Sequence, residues 1–292
     1  MSLLSPSDFL TTYGFLTTFL VCVLVGGVTG GFGSFLYLRG QSLISDVVGH
    51  SCLLGISVTF IVAAVFVGAP STPLLIVGAA VSGVIAVGFT NLIIRYTRLG
   101  GDSAMAVTLS LFYGGAMVIM NLLNTTQLQG RASLGQYILG NAATARMSDI
   151  KVIAVIAAVL LVIVVALWKE FSLLIFDPAA ARSMGFSPAL LEPLLFAVPA
   201  VAIVSGIKAV GMILMVAFTI LPAATVGWFS RTFTSMVIRS ATVGALSGAL
   251  GAYVSICLGK IPTGPVVVLI LFVCFLASLA SRVVLQKKGV TV

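Results

Sequence analysis

The chain has 292 residues, 60% of them hydrophobic and only 8% charged, and its mean hydropathy is +1.24. Soluble domains carry about 25% charged residues, so a water-soluble fold is excluded and the solvent of most of this chain is lipid. The net charge of +8 arises from 15 Lys and Arg against 7 acids. No basic patch with interleaved aromatics accompanies it, so none of it is read as a nucleic-acid surface.

Apolar runs near 20 residues long predict transmembrane helices, too many for a signal peptide or a single anchor. In chain order they are Thr12–Tyr37, Ile44–Gly68, Pro73–Ile94, Ser103–Leu123, Ile150–Trp168, Ala189–Ile207, Ala209–Trp228, Met236–Leu258 and Gly264–Val284. That makes an all-α polytopic membrane protein of eight to nine spans, with residues 1–292 forming one transmembrane domain. The count is open because only Lys208 separates the sixth run from the seventh, and a broken or re-entrant pair there would leave eight full spans. With the N-terminus outside and nine crossings, ten of the 15 basic residues fall inside, among them Arg39, Arg95, Arg98, Lys169, Arg182 and Arg282. Arg131, Arg146, Lys151, Lys208 and Lys260 fall outside. The excess of Lys and Arg on the inner side selects this orientation, with the C-terminus in the cytoplasm.

Two connections exceed a turn. Thr125–Asp149 is external, and its Gly-rich middle with Tyr137, Ile138 and Leu139 either dips back into the membrane or lies on its surface. Lys169–Pro188 is internal. Within it, Asp177 to Gly185 reads as a short capped helix: Asp177 is a good N-cap, Pro178 suits the first helical position and Gly185 suits the stop. A cytoplasmic docking knob and a plain surface loop are equally compatible with that pattern. Small residues four apart, Gly26/Gly30, Gly244/Gly248 and Ser247/Gly251, predict close helix packing. Cys22, Cys52, Cys257 and Cys274 lie in apolar runs without a CxxC pair and are read as packing residues.

One stretch departs from the avoidance of charge. Ser42–Gly55, SLISDVVGHSCLLG, holds Asp46 and the only histidine of the chain, His50. At i and i+4 on a helix the two share a face. Ionisable groups inside a span are costly and face a cavity or a partner. Carboxylate plus imidazole suits a first-row divalent metal, and a pair of ligands suits a site that must release its ion. A hydrogen-bonded pair that locks helices together and a proton relay are the alternatives. Asn91, Asn121 and Asn124 are available as further ligands. Asp102 and Asp149 stand at helix starts, and Glu192 in the first turn of the sixth span is read as a helix-dipole partner. Pro199 and Pro222 interrupt spans, as in transporters built on broken helices. Walker A, H-E-x-x-H and nucleophile-elbow motifs are absent, so no ATPase or other enzyme site is expected in this chain.

Five stretches in order resemble the membrane permease subunits of bacterial ATP-binding-cassette importers for manganese, zinc or iron. They are LRGQSLISDVVGHSCLLG, GQYILGN, LLIFDPAAARSMGFSP, KAVGMILMVAFTILPAATVGWFS and IPTGPVVVLILFVCFLAS. Ser45, Gly49 and Leu54 depart from the glycine, serine and proline usual in the family's version of the first motif. The resemblance implies a multi-pass permease of the bacterial cytoplasmic membrane, embedded in lipid and paired with a second permease as a homodimer or heterodimer. A cytoplasmic ATPase dimer would dock below and an extracytoplasmic metal-binding protein would deliver above. It places Asp46 and His50 on the path of the transported dication, manganese first with zinc or iron as alternatives, and implies no permanently bound cofactor. It makes 177–185, with Asp177, Pro178, Arg182 and Gly185, the coupling helix toward the ATPase. The rival is a gradient-driven secondary transporter with Asp46–His50 as a proton relay.

Overall fold

A computed structural model describes residues 13–66, 72–125, 146–258 and 261–287. Among the described residues every regular element is a helix: α1 (Tyr13–Leu38), α2 (Ile44–Phe66), α3 (Thr72–Tyr96), α4 (Gly101–Thr125), α5 (Met147–Ala166), α6 (Trp168–Phe176), α7 (Pro178–Ser183), α8 (Pro188–Val210), α9 (Met212–Gly227), α10 (Phe233–Leu258) and α11 (Thr263–Lys287). Eight of these, α1 to α5, α8, α10 and α11, are long and apolar enough to cross a membrane. The protein is therefore an all-α polytopic membrane protein.

The span count turns on α9. It has 16 residues, about 24 Å at 1.5 Å per residue, short of a hydrocarbon core of about 30 Å. Its ends nonetheless lie at opposite ends of the bundle. Near its start, a Cβ on Gly264 of α11 would meet Val210 O and Leu214 Cβ at 4.0 Å. At its finish, a Cβ on Gly227 would meet the Tyr37 ring at 3.1 Å, where α1 ends. Among the described residues the chain thus traverses the bundle nine times, eight times by long helices and once by a short one. The break between α8 and α9 sits at Gly211, whose φ of 84° is the positive region that glycine enters without strain, three residues beyond the Lys208 seam read from sequence. Pro199 and Pro222 lie inside continuous helices instead.

Helix α1 is the axis of the bundle and packs on α10, α9 and α8; α2 packs on α3 and α4; α11 covers α9 and α10. The small-residue pattern is realised in the α1–α10 contact. A Cβ on Gly26 would strike Gly244 O, one on Gly244 would strike Gly26 O, and one on Gly248 would strike Cys22 O. Backbone thus lies against backbone, the close approach that stripes of small residues permit in lipid. Gly30 likewise faces Ser240 O and the Pro222 ring, so the buried proline fills a notch in α1.

Helix α8 is fastened at both ends. Lys208 Nζ donates to Asp149 Oδ1 at 3.0 Å, and Arg39 Nη2 donates to Glu192 Oε1 at 2.9 Å. Each pair joins residues that the Lys/Arg reading puts on one side of the membrane. Glu192 is the fifth residue of α8 and pairs with Arg39, so its partner is a cation from α1's end instead of the helix dipole. Asp149, third in α5, also accepts from Arg146 N at 3.0 Å.

Candidate functional site

The site begins with how α1 stops. Gly40, at φ +66°, ends α1 in a double hydrogen-bonded cap: Gly40 N donates to Tyr37 O and Gln41 N to Leu36 O, both at 3.0 Å. The tight reversal starts α2 at Ile44. Asp46 is therefore in its first turn, and His50 follows one turn later. His50 Nε2 and Asp46 Oδ1 are 3.2 Å apart, with 21% and 34% of their side chains exposed. The imidazole is held edge-on against Tyr113 of α4, with ring centroids 4.6 Å apart. Tyr113 was not legible as part of the site, because only the packing of α2 on α4 brings it there.

The remaining imidazole nitrogen is the informative atom. His50 Nδ1 is shielded from solvent and has no hydrogen-bond partner, an uncommon state for a buried polar group. Nε2 is the nitrogen turned toward the carboxylate, so Nδ1 is the one left without a protein contact. The pair thus holds one buried imidazole nitrogen and one carboxylate oxygen that no hydrogen bond or ion pair among the described residues engages. Among the described residues no group of three or more His, Cys, Asp and Glu comes together. On the adjoining side, a Cβ on Gly49 would meet Val216 at 3.7 Å and Met212 at 3.9 Å, both on α9. The first turn of α9 and the Gly211 break therefore adjoin the residue before His50, and the end of α8 there leaves carbonyls without intrahelical partners.

The other sequence-stretch residues separate from this site. Asp102 is exposed in the first turn of α4, and Asn121 is exposed near its end. Asn91 lines a groove between α3 and α8. The side chain of Asn124 and the GQYILGN stretch lie outside the described residues.

The 177–185 segment folds as its local chemistry dictates. Asp177 Oδ1 accepts from Ala179 N at 3.1 Å and Ala180 N at 2.9 Å, and Pro178 opens α7. Gly185, at φ +86°, closes it, with Gly185 N donating to Arg182 O and Phe186 N to Ala181 O, both at 3.1 Å. Arg182 is exposed, and so are the apolar side chains of Phe176, Met184 and Leu190 around it. The preceding α6 falls mostly in the stretch Lys169–Pro188 that the sequence predicts as a connection. Its Trp168, Phe171 and Ile175, spaced three and four apart, are the periodic signal that would have identified it. Phe171 and Trp168 pack edge-on against Phe35 of α1, at 6.1 and 6.4 Å between centroids, and Arg39 Nη1 reaches Leu174 O at 3.4 Å. The α6–α7 elbow is thus joined to the end of α1, five residues before α2 begins.

These features define a class, a polytopic helical membrane protein with a carboxylate–imidazole pair inside the bundle and a capped helix protruding at one end. The chain belongs to the ABC 3 transport family, whose model matches residues 12–282. It is 34% identical to the zinc transport system membrane protein TroC of Treponema pallidum, over 85% of this chain and 82% of that protein. It is 35% identical to the manganese transport system membrane protein MntC of Bacillus subtilis, over 88% of this chain but only 58% of that protein's length. The Listeria innocua protein of the same name is 30% identical over 96% of both chains. Among solved structures it is similar to PsaBC from Streptococcus pneumoniae in complex with Fab, with a TM-score of 0.79 and 26% identity over 93% of each chain.

Proposed function

We propose that this chain is the permease subunit of an ATP-driven importer of a transition-metal dication, with manganese as the preferred cargo and zinc or iron as alternatives. The observation that carries the reading is the Asp46–His50 pair, which leaves one buried imidazole nitrogen without a partner. The carboxylate offsets the desolvation of a dication and the imidazole adds a nitrogen donor. Two ligands on this chain bind weakly enough to release, and the rest of the shell comes from outside the described residues or from a second permease subunit, identical or homologous. Relatives that share the family are named for manganese and zinc transport, which supports this cargo class.

In this reading residues 1–292 act as one permease domain in the bacterial cytoplasmic membrane, and ATP is hydrolysed by a partner ATPase dimer. That dimer docks on α7, where Asp177 and Pro178 set the helix, Gly185 ends it and Arg182 faces the partner. Thrust on α7 would pass through α6 and Arg39 to the Gly40 reversal and the first turn of α2. An extracytoplasmic metal-binding protein delivers the ion at the other end. The test is manganese uptake by the assembled transporter carrying His50→Ala. Loss beyond the roughly 10–100-fold typical of an outer-shell ligand partner, with ATPase binding unchanged, is expected; wild-type uptake would defeat the assignment. Leaving out the ATPase distinguishes a gradient-driven carrier using the pair as a proton relay, because that carrier would transport without it.

A further inference from the structure

A groove of about 320 Å³ opens between α3 and α8, and none of Asp46, His50 and Tyr113 is among its lining residues. Its α3 wall is Val84, Gly88, Asn91 and Arg95, and its α8 wall includes Pro193 and Ala197. Spacings of three and four put each set on one helix face. The two helices meet near Gly83, where a Cβ would lie 3.8 Å from Val204. Gly88 is exposed and a Cβ there would meet nothing within 4 Å.

Two polar groups in this groove have no hydrogen-bond or ion-pair partner among the described residues. No described residue hydrogen-bonds the Asn91 amide, although it lies about 6 Å up the helix from Arg95. Arg95 has no acidic partner among the described residues, and its guanidinium lies 5.9 Å from the Tyr96 ring centroid. An unpartnered amide on a membrane-spanning helix is unfavourable unless something polar covers it. From Val84 to Arg95 the groove runs about 16 Å, half of a hydrocarbon core of about 30 Å and the reach of one leaflet's acyl chain.

We propose that this groove binds one anionic glycerophospholipid of the leaflet at which α3 ends, with its phosphate on Arg95, its ester carbonyl on Asn91 and an acyl chain against Gly88 and Ala197. The separation of Asn91 from Arg95 along the helix matches the depth between a phospholipid's phosphate and its esters. A basic residue and an interfacial tyrosine at the mouth attract the anionic headgroup. By the Lys/Arg orientation this is the cytoplasmic leaflet.

The test is native mass spectrometry of the assembled transporter released from mixed phosphatidylglycerol–phosphatidylethanolamine nanodiscs. The wild type should retain phosphatidylglycerol preferentially. Arg95→Gln should cut retention at least about fivefold. Gly88→Leu should do the same by filling the chain slot, and Arg98→Gln, whose arginine is not among the groove residues, should not. Size-exclusion profiles check that each variant is folded. Equal retention in all four proteins would overturn the proposal. So would displacement of the lipid by inorganic phosphate alone, or a disulfide between two permease copies through Arg95→Cys.

Discussion

Replacing Gly30 with Ala tests the packing that holds α1 on α9 and α10. The added Cβ would sit 2.8 Å from Ser240 O and 3.3 Å from the Pro222 ring. Ordinary contacts begin at 3.4 Å, so the α10 backbone must retreat by about 0.6 Å, and the rigid proline ring blocks escape in the other direction. Overpacking of this kind costs about 1–3 kcal/mol. Gly27→Ala is the internal control: its Cβ would meet Ala245 Cβ at 3.5 Å, an ordinary contact. There the gain in helix propensity of roughly 0.5–1 kcal/mol is unopposed. Thermal unfolding in detergent, followed by fluorescence-detected size exclusion, should show Gly30→Ala less stable than wild type and Gly27→Ala equal or better. Equal midpoints for the two variants would refute the backbone-on-backbone contact.

Gly49→Ser restores the hydroxyl usual in related motifs, and its Cβ would meet only ordinary contacts at 3.7 Å and beyond. Thermal stability in detergent should match the wild type, and a marked loss would contradict the packing of α2 on α9. Asp177→Ala removes the acceptor of two backbone N–H groups, a loss of about 0.5–2 kcal/mol for a cap. A helix of six residues cannot absorb that, so proteolysis near 177–185 should accelerate and co-purification with the ATPase should fall. Glu192→Gln strands the largely buried Arg39. With Glu192 partly exposed, a destabilisation of about 1–2 kcal/mol is expected, and the Arg39→Glu, Glu192→Arg double variant should recover part of it in a melting assay.

How legible the fold was depended on the range of the interactions. Helix α7 was readable to within a residue because Asp177, Pro178 and Gly185 act over a single turn. The eight long spans were readable because lipid forces each to satisfy its own backbone. The α8–α9 break lies at Gly211, three residues beyond the Lys208 boundary that the sequence predicts. Lys208 in fact belongs to the last turn of α8 and reaches Asp149, and the break needs a positive φ that only Gly211 supplies. Glu192 pairs with Arg39 across 153 positions of sequence, and Tyr113 meets His50 from another helix. No local pattern encodes either contact. The Asp46–His50 pair itself was legible, because i,i+4 spacing on a helix fixes a shared face.

The most direct measurement of the central claim is manganese uptake into proteoliposomes holding this chain, with and without its ATPase and metal-binding protein, under ATP or under a proton gradient. The account predicts uptake only with ATP and both partners present, lost in His50→Ala. Uptake by this chain alone, driven by the proton gradient, would contradict it and make Asp46 and His50 a proton relay.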